Sequence, residues 1–92
     1  MIGISAQVSL YPLGQVDLTP AIQAVLDVLA AHGLSYELGS MSTIIWGGDE
    51  VVFAALREAF AAATRLGPAV MVTTISNACP FPKEANTEHP HV

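Results

Sequence analysis

The spacing of apolar residues changes period several times along the chain. Ile4, Ala6, Val8 and Leu10 alternate with Gln7, Ser9 and Tyr11. Successive side chains of a strand point to opposite faces, so residues from about Ile2 to Leu10 predict a strand with one apolar face. Its other face carries an amide, a hydroxyl and a phenol. Proline and glycine in Tyr11-Pro12-Leu13-Gly14 stop the ladder. The period then lengthens: Ile22, Val25, Leu26 and Leu29 form the i, i+3, i+4, i+7 stripe of a helix. Thr19 suits its N-cap and Pro20 its first position, Asp17 lies near its positive end, and Gly33 after His32 suits its C-terminal stop.

Period two returns with Leu34, Tyr36 and Leu38 set against Ser35, Glu37 and Gly39. Ser40-Met41 reads as a tight connection into a β-branched and aromatic strand, Ser42 to Trp46, that Gly47-Gly48 would end. Gly48 or Asp49 then caps a second helix, with Asp49 and Glu50 at its positive end. Val52, Phe53, Leu56, Phe60 and Ala63 recur at helical spacing and read as core packing, and Gly67-Pro68 terminates the helix. Ala69 to Ile75 or Ser76 is a nearly unbroken apolar run, which predicts a last strand covered on both faces. The order predicts an α+β, ferredoxin-like βαββαβ domain over residues 1–79, a four-stranded antiparallel sheet with two helices on one face. Residues 80–92, with three prolines and scattered charges, predict a flexible tail. With both helices on one side, the face bearing Gln7, Ser9 and Tyr11 is left open.

Composition adds a demand that the pattern alone does not make. The chain is 52% hydrophobic and 12% charged, against about 25% charged in an ordinary soluble domain. So few charges on 92 residues predict a second buried surface, a homo-oligomer (dimer or tetramer) formed through the sheet. Membrane insertion is excluded as the explanation, because Gln23, Asp27, Arg57 and Glu58 interrupt the longest apolar stretches. The first residues do not form a signal peptide, so the expected location is cytoplasmic. A net charge of −5 argues against a nucleic-acid partner. Cys79 is the single cysteine, so neither an intrachain disulfide nor a cysteine metal cluster can form.

Three groups of uncharged polar residues are candidates for ligand binding: Gln7, Ser9 and Tyr11; Ser42 and Thr43; and Ser76 and Asn77. If their strands are neighbours, they can converge as donors and acceptors for a planar heteroaromatic ligand. Trp46, Phe53 or Tyr11 could stack on it, and Glu37 could face a cation. They read equally well as ordinary polar residues of an exposed or oligomeric sheet face. The remaining chemistry-bearing residues are weaker candidates. Cys79 has no histidine positioned to activate it, and His89-Pro90-His91 has no third fixed metal ligand. Gly47-Gly48-Asp49-Glu50 would repel phosphate through its acidic pair. No metal, cofactor or catalytic residue is expected.

Four motifs in order, Gln7-Val-Ser-Leu-Tyr-Pro-Leu13, Met41-Ser-Thr-Ile-Ile45, Val52-Phe-Ala-Ala-Leu-Arg-Glu-Ala-Phe60 and Thr74-Ile-Ser-Asn-Ala-Cys-Pro80, resemble the YkoF-like, MTH1187-type family of small thiamine-binding proteins. The resemblance covers most of residues 4–80. It implies a ferredoxin-like domain that binds thiamine (vitamin B1) or its hydroxymethylpyrimidine moiety without transforming it, for salvage or transport. It also implies assembly through the sheet face or edges, and a site drawn from Gln7, Ser9, Tyr11, Ser42, Thr43, Ser76 and Asn77. The alternative function is a small-metabolite-sensing regulatory domain of the amino-acid-binding kind, which shares this fold.

Overall fold

A computed structural model describes residues 2–14, 16–39 and 42–78. Its elements are β1 (Gly3–Pro12), α1 (Thr19–Ala31), β2 (Ser35–Leu38), β3 (Thr43–Gly48), α2 (Asp49–Thr64) and β4 (Ala69–Ser76). The strands form one antiparallel sheet in the order β2-β3-β1-β4. This is the ferredoxin-like α+β arrangement that the periodicity predicts. β1 lies inside the sheet, with Val8 opposite Thr43 of β3 and Thr73 of β4.

The apolar parity of β1 points at the helices. Ile4, Ala6, Val8 and Ile45 pack with Val25 and Leu29 of α1 and with Val52, Ala55, Ala59 and Ala63 of α2. Two chain reversals are well specified. Gly33 takes φ +70°, a conformation open to glycine at little cost, and Gly33 and Leu34 donate to the Ala30 and Leu29 carbonyls that close α1. Asp49 joins the start of α2 to the start of β1: its carboxylate accepts the Ile2 N–H at 3.1 Å, and its own N–H donates to the Ile2 carbonyl at 2.8 Å.

Several details differ from the sequence reading. Thr19 is not the cap. Leu18 precedes the helix without a side-chain cap, and Asp17 Oδ1 instead accepts the Thr19 N–H at 3.0 Å. β1 continues through Tyr11 and Pro12: β3 pairs with β1 only as far as Val8, so Pro12 has a strand on one side alone, opposite Ala69 of β4, where a missing donor costs little. Gly47 and Gly48 belong to β3 rather than ending it, since a Cβ on Gly47 would lie 2.5 Å from Leu34 Cδ2. Phe53 and Phe60 lie outside the core, 54% and 40% exposed. The close approach of α2 is made by its alanines, whose small side chains let the helix sit nearer than phenylalanines would. β4 is not covered on both faces. It is an edge strand, and Val70 and Val72 on its outer parity are exposed. Among the described residues no helix is long and apolar enough to cross a membrane.

Candidate functional site

Antiparallel partners share a face, so the register assigns every strand residue to a side. Gln7 pairs with Ile44 and Thr74, and Ile44 pairs with Glu37, so Glu37, Ile44, Gln7 and Thr74 form one row across the face away from the helices. Ser35, Trp46, Ser5 and Ser76 form a second row. Ser9 is opposite Val72, and Tyr11 is opposite Val70. Glu37, Gln7 and Thr74 are exposed and Ile44 half-buried, so this face is open. The row Gln7, Ser9 and Tyr11 lies on it, as the alternation predicts.

The concave part of the molecule is on the other side. Where β1 and β2 end and β3 begins, α1 leaves a cavity of about 240 Å³. Val8, Leu10 and Leu38 from the sheet and Ile22, Val25 and Leu26 from α1 form its apolar walls. Gly39, Ser42 and Thr43 supply its polar edge, and Tyr11, whose parity is that of the open face, borders its rim. Two features of the fold place that edge. The parity that buries Ile45 also turns Thr43 toward the helices, opposite Val8. The Gly39 N–H donates to the Ser42 carbonyl at 2.8 Å, which brings Gly39 and Ser42 together at the cavity's edge. Thr43 is half-buried, and no side-chain hydrogen bond among the described residues involves its hydroxyl. A hydroxyl on an apolar wall with no protein partner is available to a ligand.

The residues singled out in the sequence therefore divide among three places. Tyr11, Ser42 and Thr43 meet at the cavity. Gln7 and Ser9 lie on β1 but face away from it. Ser76 and Asn77 are at the opposite end of the sheet: Ser76 pairs with Ser5, six residues before Tyr11, about 20 Å along a strand. The Ser76 hydroxyl accepts the Ala78 N–H at 2.9 Å, which closes the end of β4. Trp46 lies at that same end, beside a shallow concavity bordered by His32, Ser35 and Val51. Phe53 is exposed on α2. Sequence reasoning missed Ile22, Val25, Leu26 and Leu38, because an apolar residue that lines a cavity has the same periodicity as one that fills a core.

The cavity's described lining contains no ionisable side chain apart from the Tyr11 phenol. Asp49, at the far end of the sheet, has its carboxyl held below the ordinary value of 3.8, chiefly by the Ile2 N–H, which outweighs desolvation, with backbone donors at the start of α2 adding to the lowering. His32 Nε2 lies 3.1 Å from Glu58 Oε1, linking the end of α1 to α2. Among the described residues, no three His, Cys, Asp or Glu side chains are grouped to hold a metal ion.

A ferredoxin-like domain with one apolar, hydroxyl-edged cavity between helix and sheet is a scaffold for holding a small molecule. The family of such scaffolds is identified by sequence: residues 6–77 match the thiamine-binding protein family, and the chain belongs to it. Solved structures agree on the fold. MJ1052 from Methanocaldococcus jannascii superimposes with a TM-score of 0.77 at 23% identity, over 91% of this chain and 87% of that one. A candidate thiamine biosynthesis/salvage protein, TM0486 from Thermotoga maritima, gives 0.72 at 17% identity, over 79% and 81%. A domain of unknown function, DUF77, from Bacillus cereus gives 0.73 at 19% identity, over 82% and 75%. No curated protein matches the chain.

Proposed function

We propose that this protein binds thiamine or its hydroxymethylpyrimidine moiety without transforming it, in the cavity between α1 and the sheet. The observation that carries the reading is the Thr43 hydroxyl, set on an apolar wall without a partner among the described residues, with Ser42 beside it and Tyr11 at the rim. A substituted pyrimidine needs a flat apolar slot and a few directed hydrogen bonds, and these residues offer both. Membership of the thiamine-binding family supports the choice of ligand, as does the name of the Thermotoga maritima relative. Binding without turnover is supported by the family's description as thiamine-binding.

Gln7 and Ser9 then belong to a different surface. The open face carries Tyr11, Val70 and Val72, all about half exposed, with Glu37 as its one charged strand residue. The outer edge of β4 runs eight residues, Ala69–Ser76, without a charge or a proline to discourage pairing. This face and edge fit a homo-oligomer, with the cavity on the outward side of each sheet.

Calorimetric titration with thiamine and with hydroxymethylpyrimidine tests the ligand, and mass analysis of the recovered compound tests whether it is unchanged. Absence of heat and of mutual competition at high micromolar concentrations would overturn the reading. Recovery of a modified ligand would overturn its non-catalytic part.

A further inference from the structure

We propose that the cavity admits the unphosphorylated ligand and rejects its phosphate esters, a selectivity that rests on the thiamine reading above. Phosphate is ordinarily held by Arg or Lys side chains or by free N–H groups at a helix N-terminus. None of the residues lining the cavity among those described is basic. Of the three basic residues in the chain, Arg57 and Arg65 are exposed on and just after α2 without lining the cavity, and Lys83 lies outside the described residues.

The helix beside the cavity is closed to anions as well. α1 lends the wall its first-turn residue Ile22, so its N-terminus lies next to the site. An α-helix normally leaves its first four N–H groups without intrahelical partners. Here the Thr19 N–H donates to Asp17 Oδ1 at 3.0 Å. Pro20 has no N–H, and the first intrahelical bond runs from the Ile22 N–H to the Leu18 carbonyl at 3.2 Å. Of the two remaining donors, that of Ala21 belongs to a residue with no exposed surface and that of Leu18 stands before the first turn, next to Asp17 in the chain. The spot that an external phosphate would occupy is already held by the Asp17 carboxylate. A phosphate ester in the cavity would lose hydration against six apolar side chains and meet an aspartate at the nearest dipole end. A neutral alcohol meets neither penalty, and a cationic ring is attracted to the same aspartate.

The test is calorimetric titration of the full chain with thiamine, thiamine monophosphate and thiamine diphosphate at matched ionic strength, repeated for Asp17→Asn. That variant keeps an oxygen acceptor for the Thr19 N–H while removing the charge. The monophosphate is expected to bind at least ~30-fold more weakly than thiamine, the scale of an uncompensated charge brought against an apolar wall. Asp17→Asn is expected to narrow that gap by strengthening the ester. Monophosphate binding within about threefold of thiamine overturns the selectivity and leaves the thiamine reading standing. Failure of both compounds to bind overturns the thiamine reading and the selectivity with it. A gap that Asp17→Asn leaves unchanged overturns the part assigned to Asp17.

Discussion

Replacing Thr43 by valine exchanges one hydroxyl for a methyl group and leaves β-branching intact, so β3 keeps a side chain suited to its pairing with Val8 and Leu38. The hydroxyl has no protein partner among the described residues, so its removal breaks no internal hydrogen bond. Stability should therefore change by no more than about 0.5 kcal/mol in either direction, the range for substitutions that disturb no buried network. For a domain of this size that corresponds to roughly 2–4 °C in Tm. Binding should respond differently. One neutral hydrogen bond to the ligand is worth about 0.5–1.5 kcal/mol, which converts to roughly 2- to 12-fold weaker binding. Calorimetry with hydroxymethylpyrimidine and thermal denaturation of the free protein measure the two effects separately. Unchanged affinity would refute the placement of the ligand against Thr43. A Tm loss well beyond that range would show that the hydroxyl serves the fold.

Gln7→Ala should leave affinity for the ligand unchanged and lower the subunit number or raise its dissociation constant in analytical ultracentrifugation, because Gln7 faces away from the cavity. Weakened ligand binding with intact assembly would reverse that assignment. Gly47→Ala should cost about 1–3 kcal/mol in denaturant unfolding, since its Cβ would meet Leu34 Cδ2 at 2.5 Å and Val52 Cγ2 at 3.3 Å; an unchanged midpoint would show that Leu34 moves aside freely. The Asp49 carboxyl should titrate below 3.8 in NMR, because the Ile2 N–H favours its ionised form. A depressed carboxyl pKa contributes stability that is fully present above the unfolded value and is lost as pH falls through the folded value. The stability gap between the protein and Asp49→Asn should accordingly be constant at neutral pH and close in that acid window; a gap growing toward low pH would contradict it.

Element order was legible because each element has its own period and each boundary its own breaker: Gly33 after α1, Gly67-Pro68 after α2, and alternating parity along β1. Packing within those elements was less legible. A periodicity argument weighs phenylalanine above alanine, yet α2 turns Ala55, Ala59 and Ala63 inward and leaves Phe53 and Phe60 partly exposed, because helix–sheet separation rewards small residues. The site shows the same limit. Alternation correctly sent Gln7 and Ser9 to the open face, but it carries no sign of where α1 stops covering the sheet. Only the register reveals that Thr43 faces the helices and that Ser76 is most of a strand away from Tyr11.

The position of β1 has a kinetic consequence. Up to Val8 its hydrogen bonds run to β3 on one side and β4 on the other, so the part of the cavity built on Val8 cannot open without dismantling the sheet. β2, by contrast, is four exposed residues paired to β3 alone. Local opening draws on the least protected segments, so a ligand should leave by displacement of β2 from α1. Amide exchange should then be fastest across Ser35–Leu38, slowest along β1, and slowed by ligand chiefly in β2.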